Sequence, residues 1–295
     1  MIKTKKVFRW RNNEAVSGHS GKGNLPYFLL LCAWAAITIA IFLWVVNNSL
    51  KSNPEIFENA WGLPQSPVSN GLKNYLNAWN ISNMGGYFIN SIAVTGAAVL
   101  FTVGFSAPAA YALARIPFLG SRPVFYYFIA GMGLPFQLIL VPMYVLFVKL
   151  GLVNSQVGLV MAFTAVSIPF TILLLTGFFR SLPTELEEAA AIDGTSEFGI
   201  FLRIMMPIAT PGLFTAAIFN FVGIWQEYLL TSMLINSDAK KTLPVGLMSM
   251  RQSLQYSGDW ASMFAGIVIV VVPSFIIFIA LSNRIMAGLT MGSGK

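Results

Sequence analysis

Long apolar stretches separated by short polar segments dominate the sequence and predict membrane-spanning helices. A helix needs about 20 consecutive apolar residues to cross the hydrocarbon core of a bilayer. Six stretches reach that length: 27–46, 87–114, 123–149, 155–179, 208–235 and 261–284. Proline removes a backbone hydrogen bond and predicts a kink wherever it lies inside a helix. Prolines inside the apolar stretches include Pro135, Pro142, Pro169 and Pro273.

The composition indicates that lipid is the solvent for most of the surface. Apolar residues make up 56% of the chain and charged residues 10%, whereas an average soluble domain carries roughly 25% charged residues. The first stretch follows a basic tail, yet it is too long for a signal peptide, and no small-residue cleavage site follows Val46. We therefore expect an all-α polytopic membrane protein, with a basic tail over residues 1–24 and a six-helix transmembrane domain over 25–295.

The distribution of Lys and Arg predicts which side of the membrane each loop occupies. Six crossings place both termini on one side, and that side carries twice as many basic residues as the other. Basic residues are retained in the cytoplasm, so both termini are expected there. No basic stripe with interleaved aromatic residues accompanies the net charge of +7, so nucleic acid is not an expected partner.

The second stretch is rich in small side chains. Small residues let helix backbones approach closely in lipid, where hydrophobicity does not drive helix association. This helix is therefore expected to pack against other helices rather than face lipid. Its small residues are Ser91, Ala93, Gly96, Ala97, Gly104, Ala107, Ala110 and Ala114.

One long loop, residues 181–211, is expected on the cytoplasmic side and carries helix signals of its own. Thr184 followed three residues later by Glu187 predicts a capping box at the start of a helix. Gly194 predicts that this helix ends in a left-handed conformation. A second helical run is predicted over 195–206, closed by Pro207 and Pro211. These signals alone describe an interfacial helical hairpin that links two spans.

The same loop resembles a known family. Glu188-Ala189-Ala190, then Gly194, Ile204 and Met206-Pro207 at their spacings are similar to the EAA loop of ABC importer permeases. The family usually has Leu at the position of Met206, which is a volume-conserving change. The resemblance covers roughly residues 85–295 and favours carbohydrate permeases similar to the smaller maltose-transporter subunit. Further matching segments are 110–115, 142–144, 150–155, 220–221, 225–230 and 288–290.

The resemblance implies that the EAA loop docks on a separate ATPase and moves with it, as a type I ABC importer permease does. ATP and Mg would then bind to the ATPase, and no cofactor is expected in this chain. A phosphate loop needs Gly, four residues and Gly-Lys, but Val16 and Leu289 occupy the first position before the two Gly-Lys pairs. The implied coupling residues are Glu185, Glu187, Glu188, Ala189, Ala190, Ala191, Asp193, Gly194, Ile204 and Pro207.

A possible pathway wall lies in the fifth stretch. Glu227 is the ionisable residue deepest inside a predicted span, and a charge there normally faces a bundle interior or water. Helical spacing would place Asn220, Gly223 and Thr231 on its face, although Glu227 could equally tie helices together. Weaker candidates are Gln137, Ser167 and Thr171. The candidate pathway residues are Asn220, Gly223, Trp225, Gln226, Glu227, Tyr228 and Thr231.

These observations predict a permease subunit of an ATP-powered importer of di- or oligosaccharides rather than an enzyme. The resemblance implies a bacterial or archaeal cytoplasmic membrane and three kinds of partner: a second, homologous permease forming a heterodimer, a dimer of ATP-binding subunits, and an extracytoplasmic sugar-binding protein. One alternative is an ABC permease for a polyamine, phosphate or sugar phosphate. Another is an ion-coupled transporter that uses Glu227 as its relay. For an intramembrane enzyme, the sequence offers no evident nucleophile–base pair or metal-ligand set.

Overall fold

The computed structural model describes residues 25–292, with side chains through residue 280. The predicted tail 1–24 lies outside this range, as do the side chains of the matching segment 288–290. Within 25–292 the chain forms helices without a strand, which confirms the all-α class. The helices are α1 (Leu25–Ser49), α2 (Asn53–Glu58), α3 (Pro67–Leu76), α4 (Met84–Arg115), α5 (Ser121–Met132), α6 (Phe136–Lys149), α7 (Gln156–Ser181), α8 (Glu185–Ile192), α9 (Glu197–Ile200), α10 (Met206–Ile208), α11 (Thr210–Trp225), α12 (Leu229–Leu234), α13 (Leu243–Ser257) and α14 (Trp260–Gly292).

Among the described residues, four helices are long and apolar enough to cross a membrane, namely α1, α4, α7 and α14. Two bent pairs raise the number to six if each pair is one span: α5 with α6, and residues 197–208 with α11. The chain is therefore an integral membrane protein with between four and six candidate spans.

The predicted third span is not one continuous helix. α5 and α6 meet at 101° around Gly133 and Pro135. Proline disfavours the helical conformation of the residue before it and cannot donate to the ladder, so the break falls there. The three other prolines named above lie inside α6, α7 and α14, which continue through them.

The predicted fifth span is also divided. Its helical part, α11, ends at Trp225, and α12 begins only at Leu229. Residues 226–228 therefore form a break inside the apolar stretch, and Glu227 lies in this break rather than on a helix.

Residues 25–45 belong to a compact unit separate from the rest of the chain. They form most of α1, which is apolar on all its faces. The Thr38 hydroxyl donates to the Trp34 carbonyl at 3.0 Å, so this polar group is satisfied within the helix. A helix that is apolar all round is typical of a membrane span.

From Val46 onward the chain forms a second unit, whose centre is the pair α4 and α7. Ala107 and Ala110 of α4 are buried in one cluster with Leu175, Phe178 and Phe179 of α7. These small side chains let the two helices approach closely, so the predicted packing role holds for this part of the second stretch. It does not hold at Gly96 and Gly104, where nothing lies within 4 Å of a Cβ.

α4, α7 and α14 all begin at the same end of the second unit, which is here called the distal end. Lys51 is buried there, and its ammonium donates to the carbonyl oxygens of Asn59 at 2.9 Å and Ala60 at 3.1 Å. Burial lowers the pKa of Lys51. Asn74 donates to the carbonyls of Ser49 and Lys51, which joins α3 to the end of α1. This end is therefore a built, hydrogen-bonded structure.

We expect Gly158→Ala to destabilise the start of α7. A Cβ at Gly158 would lie 2.1 Å from the carbonyl oxygen of Leu152, and a backbone atom cannot rotate away. Overpacking of this kind costs about 1–3 kcal/mol. Thermal unfolding of the purified chain should show a clearly lower midpoint. Gly177→Ala in the same helix is the control, because nothing lies within 4 Å of its Cβ. Equal midpoints for the two variants would contradict the contact.

Candidate coupling loop and pathway cavity

The loop 181–211 folds as a helical hairpin around Gly194. Gly194 has a φ of 78°, and the amide of Thr195 donates to the Ala190 carbonyl at 3.0 Å. This closes α8 as predicted. The predicted capping box is wrong, however, because Thr184 has helical backbone angles and its side chain makes no capping hydrogen bond.

Glu187 faces into the chain instead of capping the helix. Its carboxylate lies 3.8 Å from the guanidinium of Arg115, and their side chains are only 18% and 9% exposed. Arg115 also donates to the Leu182 carbonyl. Glu187 and Arg115 therefore connect α8 to the end of α4.

Aromatic packing continues this connection beneath the loop. The Tyr111 ring lies 5.1 Å from Phe201 and 5.5 Å from Phe179, measured between centroids. Ala190 is buried in the same cluster, and Ile204 packs against it. The loop is thus fixed to α4 and α7, so a force on the hairpin would be transmitted to both helices.

The second arm of the hairpin is more irregular than predicted. After α9 the helix widens to π-helical hydrogen bonding over Phe201–Met205 and continues through α10. Pro207 is exposed inside α10 and does not end it. The chain turns by 72° just before α11.

The outer face of the hairpin is exposed and partly apolar. Ile192 is 86% exposed and Phe198 is 70% exposed, one on each side of Gly194. Neither was a candidate from the sequence, although each is a large apolar residue in a predicted interfacial loop. The predicted coupling residues on the exposed surface are Glu185, Glu188, Ala189, Ala191, Asp193 and Gly194.

We expect Glu187→Ala to loosen the hairpin, because it leaves the buried guanidinium of Arg115 without its carboxylate. The ion pair is long and partly exposed, so we expect a loss of about 1–2 kcal/mol, less than for a fully buried pair. Limited proteolysis at the loop and the thermal midpoint would measure the effect. Glu185→Ala, at an exposed position of the same helix, should change neither. The ion pair has no structural role if both variants behave alike.

The break after α11 has a defined hydrogen-bonding pattern. The Glu227 carboxylate accepts the amides of Leu230 at 2.8 Å and Thr231 at 3.2 Å. These amides belong to the first turn of α12 and have no partner inside that helix. A carboxylate at a helix N-terminus also interacts favourably with the helix dipole. Glu227 therefore starts α12 and stabilises the break.

A cavity of about 330 Å³, here called the pathway cavity, lies between α7 and α11. Asn220, Gly223 and Glu227 line it together with Ser167. Helical spacing thus grouped Asn220, Gly223 and Glu227 correctly. It fails at Thr231, which is fully buried and does not line the cavity, because α11 ends at Trp225. The rest of the lining is apolar: Phe136, Phe163, Val166, Phe170, Phe219, Ile224 and Leu230.

Asn220 is positioned by hydrogen bonds within the chain. Its amide nitrogen donates to the Thr171 hydroxyl of α7 and to the Ala216 carbonyl, both at 2.8 Å. The rings of Phe170 and Phe219 meet edge to face at 5.9 Å beside it. The cavity therefore combines aromatic faces, an amide and a carboxylate.

The remaining candidates of the fifth stretch lie outside the lining of this cavity. Trp225 is buried, stacks on Phe221 and donates its indole N–H to the Val270 carbonyl at 3.0 Å. It therefore joins α11 to α14. Gln226 is exposed, and Tyr228 is half-buried. Among the described residues, no group of three or more His, Cys, Asp or Glu side chains could hold a metal ion.

The chain thus combines an all-helical membrane unit, a hairpin packed against α4 and α7, and a largely apolar cavity that carries Ser167, Asn220 and Glu227. A family model described as the binding-protein-dependent transport system inner membrane component matches residues 102–287. The chain belongs to this family. It is a permease subunit and not an enzyme, and its family works with a substrate-binding protein and a separate ATPase.

Two relatives and one solved structure illustrate the likeness. The diacetylchitobiose uptake system permease protein NgcG of Streptomyces coelicolor is 37% identical over 264 residues, covering 90% of this chain and 86% of that protein. The arabinooligosaccharides transport system permease protein AraQ of Halalkalibacterium halodurans is 30% identical over 272 residues, covering 91% and 96%. A chain of a bacterial ABC transporter that imports the acidic polysaccharide alginate shares the fold, with a TM-score of 0.76, 21% identity and coverage of 89% and 98%.

Proposed function

We propose that this chain forms half of the translocation pathway of an ATP-powered importer of di- or oligosaccharides. The relatives named above support a sugar substrate, since their names refer to diacetylchitobiose and arabinooligosaccharides. The pathway cavity supports it as well, because aromatic faces suit the C–H faces of a sugar ring while Asn220 and Glu227 offer hydrogen bonds to its hydroxyls. The other half of the pathway is a second, related permease.

The coupling element in this proposal is the hairpin 181–211, facing the cytoplasm together with both termini. The observation that carries it is the exposed apolar pair Ile192 and Phe198 on a hairpin that is fixed to α4 and α7. An ATPase cleft that covers this pair would move the two helices with it. ATP and Mg bind to that ATPase, and no cofactor is needed in this chain. In this proposal the six spans are the four long apolar helices and the two bent pairs.

Reconstitution with the candidate ATPase, the second permease and the binding protein tests the proposal. We expect sugar uptake into proteoliposomes to require ATP and to persist when an ionophore removes ion gradients. Phe198→Ser should abolish ATPase binding, whereas Leu119→Ser, a fully exposed residue outside the hairpin, should not. Uptake that collapses with the ionophore and continues without the ATPase would establish the ion-coupled alternative. ATP-driven uptake of a polyamine or phosphate but of no sugar would refute the choice of substrate.

A further inference from the structure

A second cavity, of about 350 Å³, lies at the distal end of the unit and is here called the distal cavity. It is open to the surface and is lined by α13, by the beginnings of α4 and α14, and by residues 81–83 and Asp238. Its volume falls within the usual range of about 300–1,000 Å³ for small-molecule sites. None of its lining residues belongs to the pathway cavity. Its polar lining includes Tyr87, Asp238, Ser249, Ser253, Asp259 and Ser262.

One wall of the distal cavity is held in place by charged hydrogen bonds. The Tyr87 hydroxyl donates to Asp238 at 2.9 Å, and the Lys241 ammonium lies 2.9 Å from the other oxygen of Asp238. Lys241 also donates to the Ser249 hydroxyl at 2.9 Å. The hydrogen bond from Lys241 lowers the pKa of Asp238, so this carboxylate is ionised at neutral pH. The wall is therefore preorganised before any ligand arrives.

Close packing of α13 against α4 fixes the cavity further. A Cβ at Gly246 would lie 2.0 Å from the Tyr87 ring, so the absence of a side chain at Gly246 lets the ring approach the helix. On the same helix Ser249, Ser253 and Ser257 recur every fourth residue and share one face, which lines the cavity. Leu254 lies beside them and contributes apolar surface. The lining thus alternates hydroxyl groups with apolar patches.

A buried hydroxyl without a hydrogen-bond partner belongs to the lining of the cavity. Ser262 is only 2% exposed and lines the cavity, yet its Oγ has no hydrogen-bond partner among the side chains and backbone that the structure describes. Most buried polar groups in proteins have a partner. Beside it, Asp259 accepts the amide of Ser262 at 3.2 Å and the Asn53 side chain at 3.3 Å. A ligand hydroxyl could supply the hydrogen-bond partner that the Ser262 hydroxyl lacks.

The charges of the lining select a neutral polyol over a cation. Lys241 already offsets Asp238, which leaves Asp259 as the remaining carboxylate of the lining. A calcium ion takes six to eight oxygen ligands, usually with several carboxylates, and the described residues contain no group of three acidic or other strong metal ligands. A sugar hydroxyl can donate to a carboxylate and accept from a serine at the same time. Apolar patches then suit the C–H face of the ring.

We propose that the distal cavity binds one ring of a neutral sugar, as a receiving subsite at the mouth of the pathway. The assignment rests on the proposed function, because it takes the sugar to be the transported solute. It adds a second place of contact, separate from the pathway cavity and at the opposite end of the unit from the coupling hairpin. The contact is weak and recognises a single ring.

Saturation-transfer NMR on the full complex in nanodiscs would test this subsite. The probes are the methyl glycosides of glucose, galactose, mannose, N-acetylglucosamine and arabinose. We expect transfer to at least one of them, reduced at least threefold by Ser253→Trp, which fills the cavity. Gln252→Trp is the matched control, because it places the same ring on an exposed neighbouring position outside the lining. Gly223→Phe, which fills the pathway cavity, should leave a signal that Ser253→Trp still removes.

The outcomes separate this proposal from the proposed function. The distal subsite is overturned if no glycoside gives a signal that Ser253→Trp removes, or if calcium binds there and the sugars do not. ATP-driven sugar uptake that depends on the hairpin would in that case leave the proposed function intact. Conversely, a signal removed by Ser253→Trp in a complex that imports no sugar would refute the proposed function while the binding site remains.

Discussion

Gly194→Pro should reduce binding-protein-stimulated ATP hydrolysis to its unstimulated level. Gly194 has a φ of 78°, whereas proline holds φ near −65°, so the left-handed turn cannot form. Proline also lacks the amide that Gly194 donates to the Ala191 carbonyl at 3.0 Å. The two arms of the hairpin would separate, and with them the exposed residues Ile192 and Phe198. ATPase assays on the reconstituted complex measure the effect directly.

Gly194→Asn is the matched control for this experiment. Asparagine adopts the left-handed region more readily than most residues, and nothing lies within 4 Å of a Cβ at this position. We expect the Asn variant to keep most of the stimulation and Gly194→Ala to fall between the two. The thermal midpoint of each variant shows whether the membrane unit remains folded. Full stimulation of ATP hydrolysis in a folded Gly194→Pro complex would show that the hairpin does not take part in coupling.

The parts of this fold that were predictable from sequence are those governed by a single physical constraint. The length of an apolar run is one such constraint, and it located α1, α4, α7 and α14 to within a few residues, except at the end of α14. The small residues Ala107 and Ala110 correctly identified a packing surface on α4. Gly194 marked the end of α8 because a helix commonly closes through a left-handed residue.

Hydropathy did not predict the breaks in two of the predicted spans, because a helix break depends on local backbone and hydrogen-bonding interactions and not on how apolar the residues are. The stretch around Pro135 is as apolar as its surroundings, and Pro142 a few residues later leaves α6 intact.

The capping box failed for a different reason. Glu187 has the spacing of a capping box, but its carboxylate forms an ion pair with Arg115, which is distant in sequence. A partner at that distance cannot be read from local spacing.

Only part of the lining of the pathway cavity was predictable from the sequence, and its geometry was not. Asn220 and Gly223 meet by helical spacing on α11, whereas Glu227 reaches the same cavity from the break that follows the helix. Trp225 belongs to the same motif but packs inward against α14. Polarity therefore identified part of the wall, and the direction of each side chain depended on where α11 ends.

Glu227→Ala should lower the rate of sugar uptake to less than a tenth of the native rate without preventing assembly. The change leaves the amides of Leu230 and Thr231 without their acceptor and removes the carboxylate from the pathway cavity. One hydrogen bond to a charged group contributes about 1.5–3 kcal/mol, which corresponds to roughly a tenfold to hundredfold change in an equilibrium. Uptake into proteoliposomes at several sugar concentrations would give both the rate and the KM.

The Gln variant decides what the carboxylate does. Glu227→Gln keeps one oxygen that can accept the Leu230 amide, but an amide side chain cannot exchange a proton. If the carboxylate caps α12, the Gln variant should retain part of the uptake. If the carboxylate is a proton relay, the variant should lose uptake completely. We expect uptake by Glu227→Gln to fall between native and Glu227→Ala and to remain insensitive to an ionophore. Gln226→Ala, at an exposed residue of the same break, should transport normally. Equal and complete loss in the Gln and Ala variants would favour a role for the charge itself, because the hydrogen-bond acceptor survives in only one of them.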